Sequence, residues 1–323
     1  MRRREFIVLF AGAGIAPALP ARAQPRVARV GILVLGSAVA AKNLAIAIEL
    51  ARMGYVEGRN ITYELRAADG DLSRLPALAR ELVAAKPDVL IGASAATAEI
   101  LVAVTQDIPI VLTVTIDPVA TGLSDSMSRP SRNVTGFTSS SPTLAAKRLE
   151  LLRELIPDLR KVAHLNVPEG SPYTIFEGYV STAAAALGIT ILSVPITTVA
   201  SVSDAFSAID REKAQAVMVG ISPTTTRLTG HIIDECMLRD LPTIHPWSFA
   251  VQAGALMSYG PASLENHAGA ARYVDRILKG ARIRELPFEE PTEFKLAINL
   301  RTAQAMKIKI PPNLLARADE VVE

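Results

Sequence analysis

The sequence predicts an α/β protein made of two doubly wound parallel-sheet lobes that are joined by three chain crossings. The chain has 323 residues, which is more than one hydrophobic core usually organises, so two domains are expected. Short apolar runs alternate with longer helix-forming segments, a pattern typical of right-handed βαβ units. Three stretches rich in turn-forming residues interrupt this alternation and are the predicted crossings, at 129–134, 259–262 and 287–291.

The first part of the chain predicts the strands and helices of one lobe. Residues 30–35 form a continuous apolar run, which is typical of a parallel strand buried on both faces. The helix-forming segment 38–53 follows this run, and Gly54 is placed to end that helix. The other predicted strands are 61–65, 89–91 and 110–114, and the other predicted helices are 73–85 and 95–104.

A second β/α series follows the first turn-rich stretch and predicts the other lobe. Its predicted strands are 162–165, 189–194 and 216–221, its later helices are 224–239 and 263–279, and a final strand and short helix lie within 294–306. With the crossings, this pattern assigns 27–132 and 260–287 to lobe 1 and 133–259 and 288–323 to lobe 2.

Residues 1–23 have the layout of a secretory signal peptide. Three arginines begin the segment, an apolar run of about 14 residues follows, and Ala-Arg-Ala at 21–23 offers the small residues that signal peptidase requires. The run is shorter than the about 20 residues that span a bilayer. Gln24 is the expected first mature residue, and the periplasm is the expected location. The arginines at 3 and 4 also resemble a twin-arginine signal, so the export route stays open.

Charge and cysteine content restrict the possible partners. The chain has 34 Lys and Arg against 32 Asp and Glu, and removal of 1–23 takes away four arginines and one glutamate, leaving 30 against 31. The mature net charge of −1 gives no reason to expect nucleic acid or an anionic membrane as a partner. Cys236 is the single cysteine, so it has no intramolecular disulfide partner and is expected in the core. Because no cysteine follows the signal peptide, a free protein is expected instead of a lipid-anchored one.

Several sequence blocks, in a consistent order along the chain, carry a resemblance to a known family. The blocks are GYVEGRNI (54–61), ELVAAKPDV (81–89), NVTGF (133–137), GALMSYG (254–260), ILKG (277–280), PTEF (291–294), INL (298–300) and LARADE (315–320). Together they resemble the ABC-transporter substrate-binding family that includes tryptophan- and tyrosine-binding proteins. The similarity extends from about residue 27 to the C-terminus.

This resemblance implies a periplasmic binding protein of the type I fold, which holds a small-molecule ligand between its lobes. It further implies that an ABC permease in the inner membrane is the protein partner, that no cofactor is needed, and that no catalytic residue is present. A monomer is expected. Capture would then occur by hinge closure, in which the ligand bridges the lobes and stabilises the closed form.

The main alternative is a secreted α/β serine hydrolase with Ser94 as its nucleophile. Gly92-Ala93-Ser94 follows a predicted strand and opens a helix, as a nucleophile elbow does, but Ala96 replaces the final glycine of that motif. The histidines at 231, 245 and 267 are possible bases without an obvious acid partner. Metal sites are not indicated, because the four histidines show no metal-ligand spacing.

Candidate ligand-binding residues follow from topology, because ligands of parallel α/β sheets sit beyond the carboxyl ends of the strands. The candidates near those ends are Ser37, Ser94, Thr97, Asp117, Asn166, Tyr173, Ser222, Trp247 and Tyr259. Each also has a local explanation: the serines as helix caps, Asp117 as the former of an Asp-Pro turn, and Trp247 and Tyr259 as hinge packing.

The expected ligand carries a carboxylate and is an amino acid or an aromatic acid. Ser94 opens a helix beyond a strand end, where free N–H groups and the helix dipole attract an anion. Tyr173, Trp247 and Tyr259 are the expected apolar wall for a ring. If Asp117 lines the pocket, it should meet an ammonium group, and an amino acid is favoured. If Asp117 only forms its turn, a simple acid is favoured.

Overall fold

A computed structural model describes residues 27–37, 45–140, 142–168, 170–261 and 263–323 of the chain. The predicted signal peptide and the first part of the predicted helix 38–53 lie outside these ranges. Within them, the architecture is that of two α/β lobes, each with helices on both faces of a largely parallel sheet. The predicted fold class is therefore confirmed.

Lobe 1 has a five-stranded parallel sheet in the order β2-β1-β3-β4-β5 among its described residues. Its strands are β1 (Ala28–Val34), β2 (Ile61–Ala67), β3 (Val89–Gly92), β4 (Ile110–Ile116) and β5 (Val134–Ser140). Its helices from the first pass of the chain are α1 (Ala45–Arg52), α2 (Leu75–Ala84) and α3 (Ala95–Val104). A short 3₁₀ turn, Leu72–Arg74, precedes α2.

Strand β1 is apolar throughout because both faces of its sheet are covered. Ile32 belongs to a core that includes Leu50 of α1, whereas Leu33 packs on the other face with Leu82 of α2 and Leu101 of α3. Alternate residues of a strand point to opposite faces, so both must be apolar here. The same reason explains why the apolar runs in the sequence predicted these strands.

Lobe 2 has a seven-stranded sheet in the order β12-β11-β10-β9-β8-β6-β7. Its strands are β6 (Lys161–Asn166), β7 (Thr190–Pro195), β8 (Ala216–Val219), β9 (Thr243–His245), β10 (Met257–Pro261), β11 (Phe294–Asn299) and β12 (Glu320–Val322). Its helices are α4 (Pro142–Leu155), α5 (Gly170–Ala186), α6 (Val199–Glu212), α7 (Pro223–Arg227), α8 (Thr229–Leu238), α9 (Ser248–Gln252), α11 (Leu300–Ala305) and α12 (Pro312–Leu315). Strand β11 runs antiparallel to β10, so this sheet is mixed.

The first crossing lies later in the chain than the sequence predicts. Strand β5 pairs with β4 and so extends lobe 1 beyond the predicted boundary at 132. The chain passes to lobe 2 only between β5 and α4. Gly136 shows how close β5 lies to its neighbour, because a Cβ there would be 2.2 Å from the Leu112 carbonyl oxygen. With a φ of +148°, this position suits glycine alone.

The chain returns to lobe 1 after β10 and leaves it again before β11. Helix α10 (Ser263–Leu278) packs Ala271 and Val274 into the lobe 1 core. The following segment stays in lobe 1, where Glu289 pairs with Phe137 of β5. The second and third passages between lobes thus fall between β10 and α10 and between Glu289 and β11.

The predicted helix 224–239 is two helices in the structure. Helices α7 and α8 are separated by Leu228, whose φ of −90° and ψ of 2° are not helical. The apolar face of α8 includes Cys236, which is buried as expected. Burial raises the pKa of the Cys236 thiol, so the residue acts as a core side chain. In the described ranges, no helix combines the length and the apolar character needed to span a bilayer.

Candidate functional site: the cleft between the lobes

A cavity of about 620 Å³ lies between the two lobes, and both contribute to its walls. Lobe 1 provides the residues that follow β1 and β3 and the end of β4. Lobe 2 provides the ends of β6 and β8, Trp247 after β9, and one face of α5. The cavity thus lies beyond the carboxyl ends of strands from both sheets, where ligands of this architecture bind.

Two equivalent turns face this cavity, one from each lobe. In lobe 1, Gly92-Ala93-Ser94 leads from β3 into α3, and Ser94 and Thr97 form a reciprocal cap. The Ser94 N–H donates to Thr97 Oγ1 at 2.9 Å, and the Thr97 N–H donates to Ser94 Oγ at 3.3 Å. Such a cap satisfies two N–H groups that a helix start otherwise leaves without acceptors.

The lobe 2 turn repeats this arrangement. Gly220-Ile221-Ser222 leads from β8 into α7, the Ser222 N–H donates to Thr225 Oγ1 at 3.0 Å, and the Thr225 N–H donates to Ser222 Oγ at 3.0 Å. The pattern Gly-x-Ser-x-x-Thr therefore occurs once in each lobe at equivalent positions. Hydroxyl groups and helix N-termini face the cavity from both sides as a result.

A buried polar cluster forms part of the lobe 2 wall. Nδ1 of His164 contacts Oε1 of Glu177, and the Asn166 amide nitrogen donates to Glu177 Oε1 at 3.0 Å and to Ser193 Oγ at 2.7 Å. His164 and Asn166 lie on the same face of β6 because they are two residues apart. The Oδ1 atom of Asn166 and Nε2 of His164 have no hydrogen-bond partner among the described residues.

The Glu177 side chain is ionised at neutral pH. Its burial raises the pKa, but contact with His164 and hydrogen bonds from Ser193 and Asn166 outweigh burial and lower the pKa below its usual value. The carboxylate is 16% exposed. A largely buried carboxylate in contact with His164 therefore forms part of the cavity wall.

The rest of the cavity wall is mostly apolar and aromatic. Tyr173 and Phe176 face it from α5, and Trp247 faces it from the loop after β9. Arg227 brings a guanidinium to the rim and donates to the Thr197 carbonyl oxygen at 3.3 Å. Asp69 lies on the lobe 1 side, where it pairs with Arg74 at 2.8 Å. A ring-bearing molecule with polar ends fits such a lining.

The structure places six of the nine residues predicted for the site at the cavity wall. These are Ser37, Ser94, Asn166, Tyr173, Ser222 and Trp247. The other three, Thr97, Asp117 and Tyr259, have structural roles nearby and do not line the cavity.

Local contacts explain why the side chains of these three residues do not line the cavity. Thr97 is buried because its hydroxyl completes the Ser94 cap. Oδ1 of Asp117 accepts the N–H groups of residues 119 and 120, and Oδ2 accepts the hydroxyl of Tyr179. The ring of Tyr259 stacks on Phe294, with the ring centroids 6.1 Å apart.

Sequence reasoning missed His164, Phe176 and Glu177 as wall residues. One signal was available: Phe176 and Glu177 are three and four residues after Tyr173, so the three would share one face if this segment were helical. If Tyr173 faces a ligand, the other two should also lie nearby. The contact of Glu177 with β6 required the tertiary structure.

A second buried polar group lies in lobe 2 outside the cavity lining. Arg148 of α4 is fully buried and donates from Nε to the Tyr259 carbonyl oxygen at 2.8 Å. Its burial lowers the guanidinium pKa to about 10. Burial and the Arg148 charge lower the pKa of His245 to about 3, so this imidazole is neutral. In the described part of the chain, no group of three or more histidine, cysteine or acidic side chains could hold a metal ion.

The chain matches a known family along nearly all of the part that the structure describes. The family described as "ABC transporter substrate binding protein" matches residues 28–322. The resemblance seen in the sequence blocks is thereby confirmed.

Individual proteins add detail to this match. A protein named tyrosine-binding protein from Clostridioides difficile (strain R20291) is 34% identical over 109 residues, which are 34% of this chain and 31% of that protein. The match thus spans about a third of the curated relative. A conserved domain protein from Vibrio cholerae is 28% identical, with a TM-score of 0.84, and covers 92% of this chain and 100% of its own. A Streptococcus pneumoniae ABC domain in complex with L-Trp is 22% identical, with a TM-score of 0.83, and covers 91% of this chain and 99% of its own.

Proposed function

The chain belongs to the family of ABC transporter substrate-binding proteins, and we propose that it is the periplasmic capture subunit of an ABC importer. Its ligand is a small carboxylate-bearing molecule, an amino acid or an aromatic acid, held between the lobes. The observation that carries this proposal is the cavity of about 620 Å³ with walls from both lobes. A ligand that touches both walls stabilises the closed arrangement, which the permease then recognises.

The carboxylate binds at the start of α3. The first N–H groups of a helix lack intrahelical acceptors, and the helix dipole favours an anion there. Ser94 lies at this helix start on the cavity wall and offers a hydroxyl group. Arg227 at the rim adds a positive charge that attracts anionic ligands to the cleft.

An aromatic ring of the ligand packs against the apolar wall. Tyr173, Phe176 and Trp247 supply large faces for stacked or edge-on contact. The C. difficile relative is named for tyrosine, and the S. pneumoniae structure contains L-Trp. Both names support an aromatic amino acid as the first ligand to test.

The remaining parts of the proposal concern location and partners. The signal peptide 1–23 directs export, by the Sec or the twin-arginine route, and cleavage leaves a free periplasmic monomer. That monomer delivers its ligand to an inner-membrane ABC permease. The alternative of a serine hydrolase gains no support from Ser94, because its side-chain hydrogen bonds in the described structure go to Thr97, as expected of a helix cap.

A ligand screen on the mature protein, residues 24–323, tests the proposal. Trp247 is the single tryptophan and lies on the cavity wall, so its fluorescence reports occupancy directly. We expect aromatic amino acids or aromatic acids to change this fluorescence and to raise the melting temperature, because a ligand that binds only the folded state stabilises it. Isothermal titration calorimetry then ranks the hits. Equal or better binding of neutral sugars and amides would contradict the carboxylate ligand class.

A further inference from the structure

Arg148 of lobe 2 is a buried cation whose terminal nitrogens lack the partners that a buried charge requires. The side chain is fully buried, and Nε donates to the Tyr259 carbonyl oxygen at 2.8 Å. Nη1 and Nη2 have no hydrogen-bond partner among the described residues. Arginine is almost never fully buried without a paired charge, because removing a guanidinium from water is strongly unfavourable. The two nitrogens therefore need an acceptor that the described part of the chain does not supply.

The guanidinium keeps its positive charge at neutral pH. Burial lowers its pKa, but only to about 10. Tyr259 acts on this pKa in the opposite direction, and burial raises the pKa of the Tyr259 phenol, which therefore stays neutral. Within the described ranges, no carboxylate pairs with Arg148. A water molecule would accept hydrogen bonds from Nη1 and Nη2 but leave the charge uncompensated, whereas an anion would accept them and balance the charge.

Two more buried polar atoms without partners lie in the same part of lobe 2. Ser258 of β10 and His245 of β9 are paired in the sheet, so their side chains lie on the same side of it. Ser258 Oγ and His245 Nε2 are both buried and have no hydrogen-bond partner in the described structure. Gly260 shares this side of β10, and a Cβ there would be 3.4 Å from Arg148 Nη2. The three side chains thus lie around one small region of the lobe.

All three side chains can donate hydrogen bonds into this region. The guanidinium nitrogens are donors alone, the serine hydroxyl rotates to donate, and a neutral imidazole donates when its proton is on Nε2. The matching group is a negatively charged acceptor. It must be small, because the backbone is closely packed here: a Cβ at Gly260 would be 2.0 Å from the Pro246 carbonyl oxygen.

We propose that Arg148, Ser258 and His245 bind a small monovalent anion such as chloride inside lobe 2. The site is separate from the ligand cavity, which these three residues do not line, so the inference does not depend on the ligand class. Tyr259, which accepts the Arg148 hydrogen bond, lies in the strand that leads to the second passage between lobes, and its ring stacks on Phe294, which follows the third passage. The anion therefore stabilises the part of lobe 2 that carries the hinge.

Thermal unfolding of the mature protein in chloride and in gluconate tests this inference. Gluconate is too large for the site, so the two salts are compared at the same ionic strength and pH. A site that is half filled at about 10 mM chloride should raise the melting temperature by about 3–6 °C when about 200 mM gluconate is replaced by chloride, because an ion that binds only the folded state stabilises it. The shift should saturate with chloride concentration.

Matched variants assign the effect to the site. Arg148→Gln removes the charge and should abolish the chloride-dependent shift, whatever its own stability. Arg153→Gln changes an exposed arginine on the same helix, α4, and should keep the full shift. Ser258→Ala removes one donor, so half of the shift should require about threefold to tenfold more chloride.

A crystal structure of the wild type grown in bromide tests the site without any variant. We expect an anomalous bromide peak within hydrogen-bond distance of the Arg148 Nη atoms and Ser258 Oγ. Water at that position, with bromide bound elsewhere or not at all, overturns the anion site. Equal melting temperatures in chloride and gluconate, or an undiminished chloride shift in Arg148→Gln, overturn it as well. None of these results bears on the ligand screen, so this inference and the proposed function can fail separately.

Discussion

Asp117 and Tyr179 belong to different lobes, and the Tyr179 hydroxyl donates a hydrogen bond of 2.8 Å to Oδ2 of Asp117. Asp117 follows β4 of lobe 1, whereas Tyr179 lies on α5 of lobe 2. Burial and the Asp117 carboxylate raise the pKa of Tyr179 to about 12, so the phenol keeps its proton across the physiological range. This contact joins the lobes beside the cavity and must break when they separate.

The first prediction is that Tyr179→Phe weakens ligand binding by about threefold to tenfold, the loss expected for one hydrogen bond. The closed arrangement loses the contact, whereas the open one does not, so the equilibrium shifts toward the open form. Calorimetry with L-tyrosine measures the affinity, and small-angle scattering measures compaction on ligand addition. Tyr63→Phe, on β2 away from the cavity, is the control. Unchanged affinity in Tyr179→Phe would show that the contact does not favour closure.

Asp117 also shows where sequence reasoning about the site reaches its limit. Its place after a strand at the cleft edge is visible in the sequence, and so is its ability to form a turn. Its contact with Tyr179, 62 residues later in the chain, depends on how α5 lies across the cleft. No local pattern encodes that distance. The sequence therefore left two roles open for Asp117, a contact with a ligand ammonium group or a turn alone. In the structure, its side chain instead forms the turn and contacts Tyr179 of the other lobe.

Ser94 and Ser222, in contrast, could be predicted from the sequence because their roles depend on neighbouring residues in the chain. Ser94 follows a short apolar strand by two residues and Ser222 by three, and each has a threonine three residues later, so the cap is a local property of the chain. The strands were predictable because both sheet faces are covered. The sequence analysis did not assign β5 to lobe 1, because its pairing with β4 across a turn-rich loop depends on the tertiary structure.

The second prediction concerns export. Residues 1–23 should be removed, because the basic start, the short apolar run and the Ala-Arg-Ala motif match what signal peptidase cleaves. Intact-mass measurement of periplasmic protein should show a chain that begins at Gln24. An arginine-to-lysine change at positions 3 and 4 together distinguishes the export routes, since only the twin-arginine route requires the arginine pair. Uncleaved protein confined to the cytoplasm would refute the assigned location.

The third prediction is a loss of stability in acid that depends on His245. The folded-state pKa of this imidazole is about 3, against 6.5 for the unperturbed group. Between these values the unfolded chain takes up a proton that the folded chain does not. The stability that the neutral His245 contributes is fully present above pH 6.5. As the pH drops below that value, the free energy of unfolding falls by up to about 1.4 kcal/mol per pH unit for this proton.

Urea unfolding at a series of pH values measures this slope. His245→Asn removes the titrating group, so its free energy of unfolding should fall less steeply between pH 6.5 and 3, whatever its stability at neutral pH. His231→Asn alters an exposed histidine on α8 and should keep the wild-type slope. A His245→Asn slope equal to that of the wild type would assign the acid sensitivity to other groups.

The fourth prediction is that the mature protein does not hydrolyse a generic ester such as p-nitrophenyl acetate above the background rate. A serine nucleophile needs a base within hydrogen-bond reach, whereas the Ser94 hydroxyl lies 3.2 Å from Thr97 Oγ1 in a helix cap. Release of p-nitrophenol is followed by absorbance for the wild type and for Ser94→Ala. Hydrolysis that is present in the wild type and lost in the variant would restore the hydrolase interpretation.

The last prediction separates the structural role of Ser94 from its ligand-binding role. Loss of a serine or threonine helix cap usually costs about 0.5–2 kcal/mol of stability, so Ser94→Ala should lower the free energy of unfolding by about 1 kcal/mol. Thr198 caps α6 in the same way, with the Ser201 N–H donating to Thr198 Oγ1 at 3.2 Å, but it is exposed and does not line the cavity. Thr198→Ala should therefore cause a similar loss of stability.

The two variants should differ in ligand binding alone. Ser94→Ala should weaken both L-tyrosine and 3-(4-hydroxyphenyl)propanoate, since both carry the carboxylate that is assigned to the start of α3, and it should affect L-tyrosinamide less. Thr198→Ala should leave all three affinities unchanged, because its cap lies away from the cavity. Urea unfolding gives the stabilities, and calorimetry gives the affinities. If the Ser94 variant loses stability and keeps full affinity for the carboxylates, then Ser94 is only a helix cap. The anionic end of the ligand then binds elsewhere in the cleft, and the guanidinium of Arg227 at the rim is the next group to test.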